Sequence, residues 1–259
     1  MTDGWNIVVC VKQVPDADDV SIDPETGRLN RSDAEAVMNA PDYNAVEAAL
    51  ELRDEVGGTV TALSMGPPNA DAVLRVAVGM GADDGVLLSD PAFGGSDTWP
   101  TSLALARGAE ELDADVVLGG EETTDSSTGQ VPPGIAAHNG WAQLTYVEEL
   151  EPRPDGDKLV AKRDVEGGYE KVAAELPVVV AMGFGENDPR PAGLHRKIFA
   201  EADFEPETWT AEDLGVEDEV GLSVSPTQVG GMDTADPVPR EQEVVDETDE
   251  LAEQIAEVL

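Results

Sequence analysis

The sequence is poor in the residues that most often announce chemistry: one cysteine, two histidines, and four Trp, three Tyr and four Phe in 259 residues. A single cysteine excludes an internal disulfide. Cys10 lies in the apolar run Ile7-Val8-Val9-Cys10-Val11 and reads as a small buried strand residue. One Cys and two distant His give no zinc-ligand spacing. Nucleophilic catalysis has little support either, since His138 and His195 have no Cys nearby and no Gly-x-Ser-x-Gly turn occurs. No apolar run approaches membrane-spanning length, and the N-terminus has no basic stretch followed by an apolar core. The expectation is a soluble, cytoplasmic protein with no membrane insertion.

Cations are scarce as well. Fifteen Lys and Arg face 55 Asp and Glu, a formal net charge of -40. Such a surface repels nucleic acid backbones and anionic membranes. The acids are spread through apolar-patterned segments instead of forming one tail, which suits a surface adapted to a salt-rich cytoplasm. With so many carboxylates, no particular pair stands out as an acid–base couple.

What is present is a regular alternation. Residues 6–11 read as a strand, and 16–38 as a polar meander or short hairpin around Asp23-Pro24-Glu25-Thr26-Gly27. A helix starts at Asn39-Ala40-Pro41-Asp42, with Asn39 or Asp42 as its cap, and runs to about Val56 before Gly57-Gly58. Strands follow at 60–64, 85–88 and 115–118. Between them lie an amphipathic helix marked by Ala70, Val73, Leu74, Ala77 and Val78, and a second helix from Asp97 to Leu112. This alternation implies an α/β fold, a parallel sheet with helices on both faces. Shorter strands at 142–150, 158–163 and 169–174 suggest antiparallel additions, and Pro177–Met182 a last buried strand. After Gly183 the chain reads as an extended C-terminal arm. The domain expectation is therefore 1–183 for the α/β domain and 184–259 for the arm, whose end carries Val244, Leu251, Ile255 and Val258 on one helical face.

The stretch Gly119-Gly120-Glu121-Glu122-Thr123-Thr124-Asp125-Ser126-Ser127-Thr128-Gly129-Gln130-Val131-Pro132-Pro133 follows the fourth strand and leads into a short helix. A loop of small hydroxyl-bearing residues at a helix start offers backbone N–H groups and the positive end of a dipole to a phosphate. A surface turn with a capping Ser or Thr fits the same residues. Gly94-Gly95-Ser96-Asp97-Thr98 resembles the pyrophosphate loop of ATP pyrophosphatases, but Ser96 or Asp97 as a helix cap accounts for it better. Arg190, His195, Arg196 and Lys197 form a basic island around Leu194, Ile198 and Phe199, which suits protein recognition; internal packing is the alternative.

These segments together resemble the beta subunit of electron-transfer flavoproteins from about residue 6 to 215. The resemblance rests on Val9-Cys10-Val11-Lys12-Gln13-Val14-Pro15-Asp16, Met38-Asn39 with Ala45–Leu50, Leu63-Ser64-Met65-Gly66-Pro67 and Val78-Gly79-Met80-Gly81-Ala82-Asp83. It continues through the loop after the fourth strand, Arg163-Asp164-Val165-Glu166-Gly167-Gly168 and Asn187-Asp188-Pro189-Arg190. It implies an adenine-nucleotide alpha-hydrolase-like fold and an electron carrier with no catalytic residues of its own. An alpha subunit would hold the redox-active FAD, and this chain AMP or a second FAD. Donors would be flavin dehydrogenases, such as the acyl-CoA dehydrogenases of fatty acid oxidation, and the acceptor a quinone reductase. Carried over by position, the nucleotide would meet Cys10, Asn39, Ala40, Pro41, Asp42 and Met65, with its phosphates on Asp125, Ser126, Ser127, Thr128, Gly129, Gln130, Val131 and Pro132. Thr128, Gln130, Val131 and Pro133 match the pattern of electron-bifurcating members, whereas Ser126, Ser127 and Pro132 depart from it; the balance leans to FAD. Asn187, Pro189, Arg190, Leu194 and Ile198 would dock partner dehydrogenases. Two rivals are an adenine-nucleotide-binding stress or signalling module of the same fold, and an ATP pyrophosphatase dependent on Asp97.

Overall fold

Strand β1 (Trp5–Cys10) forms on the first apolar run, and its alternate residues serve opposite layers. Ile7 and Val9 pack into one side of the core and Val8 into the other, so the strand has no polar face to show in its sequence. The computed structural model describes residues 4–16, 21–22, 29–30, 36–153, 158–185 and 187–228.

After β1 come two small antiparallel pairs, β2 (Gln13–Pro15) with β5 (Ala36–Met38), and β3 (Ser21–Ile22) with β4 (Leu29–Asn30). These correspond to the expected meander. The α/β alternation then begins with α1 (Ala40–Val56), β6 (Gly58–Met65), α2 (Asp71–Met80) and β7 (Asp84–Leu88). It continues with α3 (Thr98–Glu111), β8 (Val116–Gly120) and α4 (Val131–Asn139). Strands β9 (Ala142–Pro152), β10 (Lys158–Val165), β11 (Gly168–Glu175) and β12 (Val178–Met182) follow, then α5 (Leu194–Ala202) and β13 (Glu207–Trp209).

Among the described residues the main sheet has the order β11-β10-β9-β12-β8-β1-β6-β7-β13. All strands from β9 to β13 along that order run parallel, and only β10 and β11 are antiparallel additions. The 142–150 segment pairs antiparallel with β10, as expected, and it also joins the sheet in parallel with β12, which returns between β8 and β9.

Helices α1 and α2 cover one face through Val46, Ala49, Leu50, Val73, Leu74 and Ala77. On the other face, α3 and α4 contribute Leu103, Ala104, Ala106, Ile135 and Ala136. Each fully buried Leu or Val in these layers contributes about 1.5–3 kcal/mol relative to exposure. Strand order reverses at β1: β6 and β7 extend one way, while β8 lies on the other side. In sheets of this kind the crevice beyond the carboxyl ends at such a reversal is where ligands sit.

The segment after Gly183 is more ordered than an extended arm. Helix α5 packs on α2, where Arg75 donates to the carbonyls of Ala200 and Phe204, and Arg196 to those of Val78 and Ala82. Strand β13 adds Glu207–Trp209 to the edge of β7. Residues as far as Gln228 group with the sheet as one compact unit. The apolar stripe at 244–259 lies outside the described residues.

Candidate functional site

The carboxyl ends of β1 and β8 form the walls of the crevice at the strand reversal, and the start of α1 closes it. Pro41 in the first turn of α1 suits a position whose N–H has no helical partner. Asn39 and Asp42, both expected as caps, do not cap the helix with their side chains. They tie the two walls together instead. The Lys12 N–H, just past β1, donates to Asp42 Oδ2 at 2.7 Å, and the Gly120 N–H at the end of β8 donates to Asp42 Oδ1 at 3.3 Å. Asn39 Nδ2 donates to Asp42 Oδ1 at 2.9 Å and to the Glu122 carbonyl at 3.0 Å, while Asn39 Oδ1 accepts from the Thr124 N–H at 3.0 Å. Asn39 is fully buried and Asp42 nearly so.

Burial pushes the Asp42 carboxyl up to about 7, against the pull of the Asn39, Lys12 and Gly120 donors and the Lys12 charge. Burial, and secondarily the Asp42 charge, push the Cys10 thiol up to about 12. Cys10 therefore stays a neutral wall of the crevice and not a nucleophile.

Gly119 and Gly120 permit the close approach. A Cβ on Gly120 would meet Asp42 Oδ1 at 2.6 Å and Pro41 Cβ at 2.7 Å, whereas one on Gly119 would lie 3.7 Å from both Cys10 Cβ and Pro132 Cγ. Cys10, Gly119 and Pro132 are thus neighbours at the floor. Met65 ends β6, half-buried against the α3 side of the core. Across the mouth, Lys12 Nζ meets both Asp125 oxygens at 2.8 Å. Burial opposes the Asp125 charge, but hydrogen bonds from Lys12, Thr123 and Ser126 and the Lys12 charge hold its pKa below the ordinary value.

The loop after β8 turns on Ser127 (φ 45) and Gly129 (φ 63), both left-handed. The Ser126 and Ser127 hydroxyls face their own turn, bonding Thr123 and Asp125. Gln130 precedes α4 without a side-chain cap, and its Oε1 accepts from Thr98. The capped-turn alternative therefore does not describe this helix start. Thr128, Gly129 and Gln130 are exposed. Among the described residues the N–H groups of Thr128, Gly129, Gln130 and Val131 meet no acceptor within the protein. Pro132 and Pro133 add none, so the donors precede the helix more than they belong to it. Four such donors at the positive end of α4 fit an anionic phosphate, and the small-residue floor fits a planar group beside it.

Other sequence candidates resolve differently. Asp97 caps α3 through the Trp99 N–H at 2.9 Å, and its other oxygen accepts from Thr227 N and Oγ1, both at 2.7 Å. The Ser96 hydroxyl accepts from the Gly221 N–H. That glycine loop holds the 221–227 strap, with the Ser96 hydroxyl and both Asp97 oxygens engaged within the protein. Within the docking set, Arg190 pairs with buried Glu47 at 2.9 Å and with Asp54 at 3.1 Å, and Asn187 exchanges hydrogen bonds with Asn44. These two residues anchor the segment to α1. Leu194 and Ile198 stand 71% and 56% exposed on α5, and Pro189 is exposed as well. A groove of about 680 Å³ between α1 and β9 is lined by Glu51, Asp54, Glu55, Glu148 and Glu149. Those carboxylates would repel a phosphate, so the strand reversal is the better site. Lys12, Glu122 and Thr124 were missed as site residues. Only the position of Lys12 directly after an apolar strand hinted at it.

An open, mostly parallel α/β sheet whose strand order reverses at β1 defines a protein of the doubly wound class. A family model describing the electron transfer flavoprotein domain matches residues 26–214. The chain is 45% identical to electron transfer flavoprotein subunit beta of Clostridium acetobutylicum, over 93% of this chain and 92% of that protein. It is 42% identical to the caffeyl-CoA reductase-Etf complex subunit CarD of Acetobacterium woodii, covering 86% and 85%. Protein FixA of Azotobacter vinelandii is 36% identical, covering 96% and 91%. The chain belongs to the electron transfer flavoprotein family. Its role is electron transfer, as a carrier and not as an enzyme.

Proposed function

We propose that this chain is the beta-type subunit of a two-subunit electron carrier and that the crevice at the strand reversal holds an adenine nucleotide, AMP or a second FAD. The observation that carries the reading is the set of four unpartnered N–H groups at residues 128–131, on the loop that Asp125 ties to Lys12. The adenosine end lies against Cys10, Asn39–Asp42 and Met65, and the phosphate end over Asp125–Pro132. A bound flavin supplies the electron-transfer chemistry; the chain's residues grip the nucleotide, orient it and exclude water.

The partner is an alpha-type subunit that holds the redox-active FAD. By its name the Acetobacterium woodii relative is a subunit of a complex, which supports a role within an assembly. Exposed Leu194 and Ile198 on α5, together with exposed Pro189, form the face for flavin dehydrogenases, and electrons leave toward a quinone reductase. The setting is cytoplasmic; among the described residues no helix is long and apolar enough to cross a membrane. The -40 charge reflects adaptation to a salt-rich cytoplasm.

Nucleotide content of the purified two-subunit complex tests the reading. Two FAD per heterodimer, or one FAD with one AMP, supports it and decides which nucleotide this chain holds. A single FAD with no further nucleotide overturns it. A signalling module of the same fold would need no docking face on α5.

A further inference from the structure

Strand β11 ends the main sheet. It pairs only with β10, so its outer edge, 8 residues long, has no neighbour among the described strands. An edge of that length invites pairing with another chain unless something covers it. One face of the β10–β11 pair is bare as well. Leu159, Ala161 and Ala174 turn toward the α1–α2 layer of the core, whereas Tyr169 and Lys171 on the opposite face are exposed.

Three aromatic side chains stand out at one end of this region. Asp164 pairs with Tyr169, Arg163 with Val147, and Val147 with Met182, so Tyr169, Tyr146 and Phe184 follow one another across β11, β9 and the end of β12. They are 65%, 59% and 63% exposed, in a chain with few aromatic residues to spare. Tyr146 has a left-handed backbone (φ 55), which is costly for a bulky residue and persists where its surroundings enforce it.

Charge sets this surface apart from the rest of the chain. Residues 158–175 carry 4 basic side chains, Lys158, Lys162, Arg163 and Lys171, against 4 acidic ones, and are neutral. The remainder of the chain has 11 basic and 51 acidic residues. Lys162 pairs with Glu148 and Glu149, Arg163 with Glu170, and Lys158 with Glu175. Lys171 is exposed and has no ion pair among the described residues, although acids are in large excess. It sits directly across from Lys162, a like-charge pair that destabilises the hairpin. An unpaired ammonium kept at such a place fits an acidic group brought by another chain.

We propose that this bare face and edge seat the alpha-type subunit, with an acidic group of the partner on Lys171 and apolar surface of the partner on Tyr169. This rests on the two-subunit reading above. A chain of net charge -40 repels an acidic partner least where it is locally neutral. Exposed Tyr and Phe at that place supply the large contact area that dominates binding energy. A permanent subunit suits the long edge, since a transient dehydrogenase would leave it open between encounters.

The test uses the purified two-subunit complex. Its lysines are acylated under native conditions and quantified by mass spectrometry, with exposed Lys197 on α5 as the internal reference. Lys171 is expected to lose its labelling relative to Lys197, and a zero-length carbodiimide to join it to a carboxylate of the second subunit. Tyr169→Ala, which removes an exposed ring and leaves the core untouched, is expected to raise the dissociation constant of the complex about tenfold. Labelling of Lys171 to the level of Lys197 overturns the proposal, and so does a Tyr169→Ala complex as tight as wild type; either result leaves the two-subunit reading standing. Cross-linking of Lys171 to a second copy of this chain also overturns it. If no second subunit accompanies the chain, the two-subunit reading fails and the proposal with it.

Discussion

Asn39 shows how much one side chain can hold when water is excluded. Its side chain makes three hydrogen bonds, one to Asp42 in the first turn of α1 and two to the loop after β8, and all are buried or partly buried. Asn39→Ala leaves the Thr124 N–H, the Glu122 carbonyl and one Asp42 oxygen short of a partner. We expect a loss of about 2–3 kcal/mol in urea unfolding, together with loss of exchange protection at 121–124. Asp42 adds a pH term whose sign follows from its raised pKa. The folded chain binds this proton more tightly than the unfolded one, so the Asp42 contribution to stability is complete below about pH 4 and is lost as pH rises through about 7. The stability difference between wild type and Asp42→Asn should therefore move in the variant's favour between pH 4 and 8, by on the order of 4 kcal/mol. A difference that stays constant across that range would show that Asp42 titrates normally. Neither role was readable beforehand, since Asp42 is one of 55 acids and only burial sets it apart.

Helix α1 connects the two functional regions. Its first turn holds Asn39 and Asp42 against the crevice, and its next turns hold Asn44, Glu47 and Asp54 against Asn187 and Arg190. Removing the guanidinium with Arg190→Ala strands the Glu47 carboxylate. We expect a loss of about 1–3 kcal/mol and faster proteolysis of 184–193. Leu194→Ala should act oppositely. At 71% exposure it contributes little to folding, so the melting temperature and nucleotide content should hold while reduction by the partner dehydrogenase slows. Unchanged reduction kinetics would remove Leu194 from the docking face. The elements α1 to α4 were legible because their apolar residues recur at helical spacing and their ends carry Pro or Gly. Helix α5 and strand β13 were not. Every residue of α5 from Leu194 to Phe199 is exposed, and arginines hold the helix to α2 instead of an apolar stripe. Strand β13 has three residues and exists because β7 offers its edge.

For the whole molecule the dominant quantity is charge. Most cations of the described region are already used: Lys12, Arg53, Arg75, Arg107, Lys158, Lys162, Arg163 and Arg190 all sit in ion pairs. The remaining acids repel one another at a net -40. Raising KCl from about 0.1 M to about 1 M shortens the Debye length from about 10 to 3 Å and should raise the unfolding midpoint. A lower midpoint in high salt would sink the salt-adaptation reading.

The sequence by itself determined the layers. Apolar runs of strand length alternating with amphipathic helices have few ways to bury their surfaces, and a parallel sheet covered on both faces is the one that fits. It also marked the loop after β8, because small residues followed by prolines signal a helix start. The tertiary structure decided what that loop faces. Only when β8 lies beside β1 does Gly120 come within reach of Asp42, and Asn39 turn from a helix cap into the link between two walls. These contacts join residues about 80 positions apart, and periodicity carries no information about such pairs.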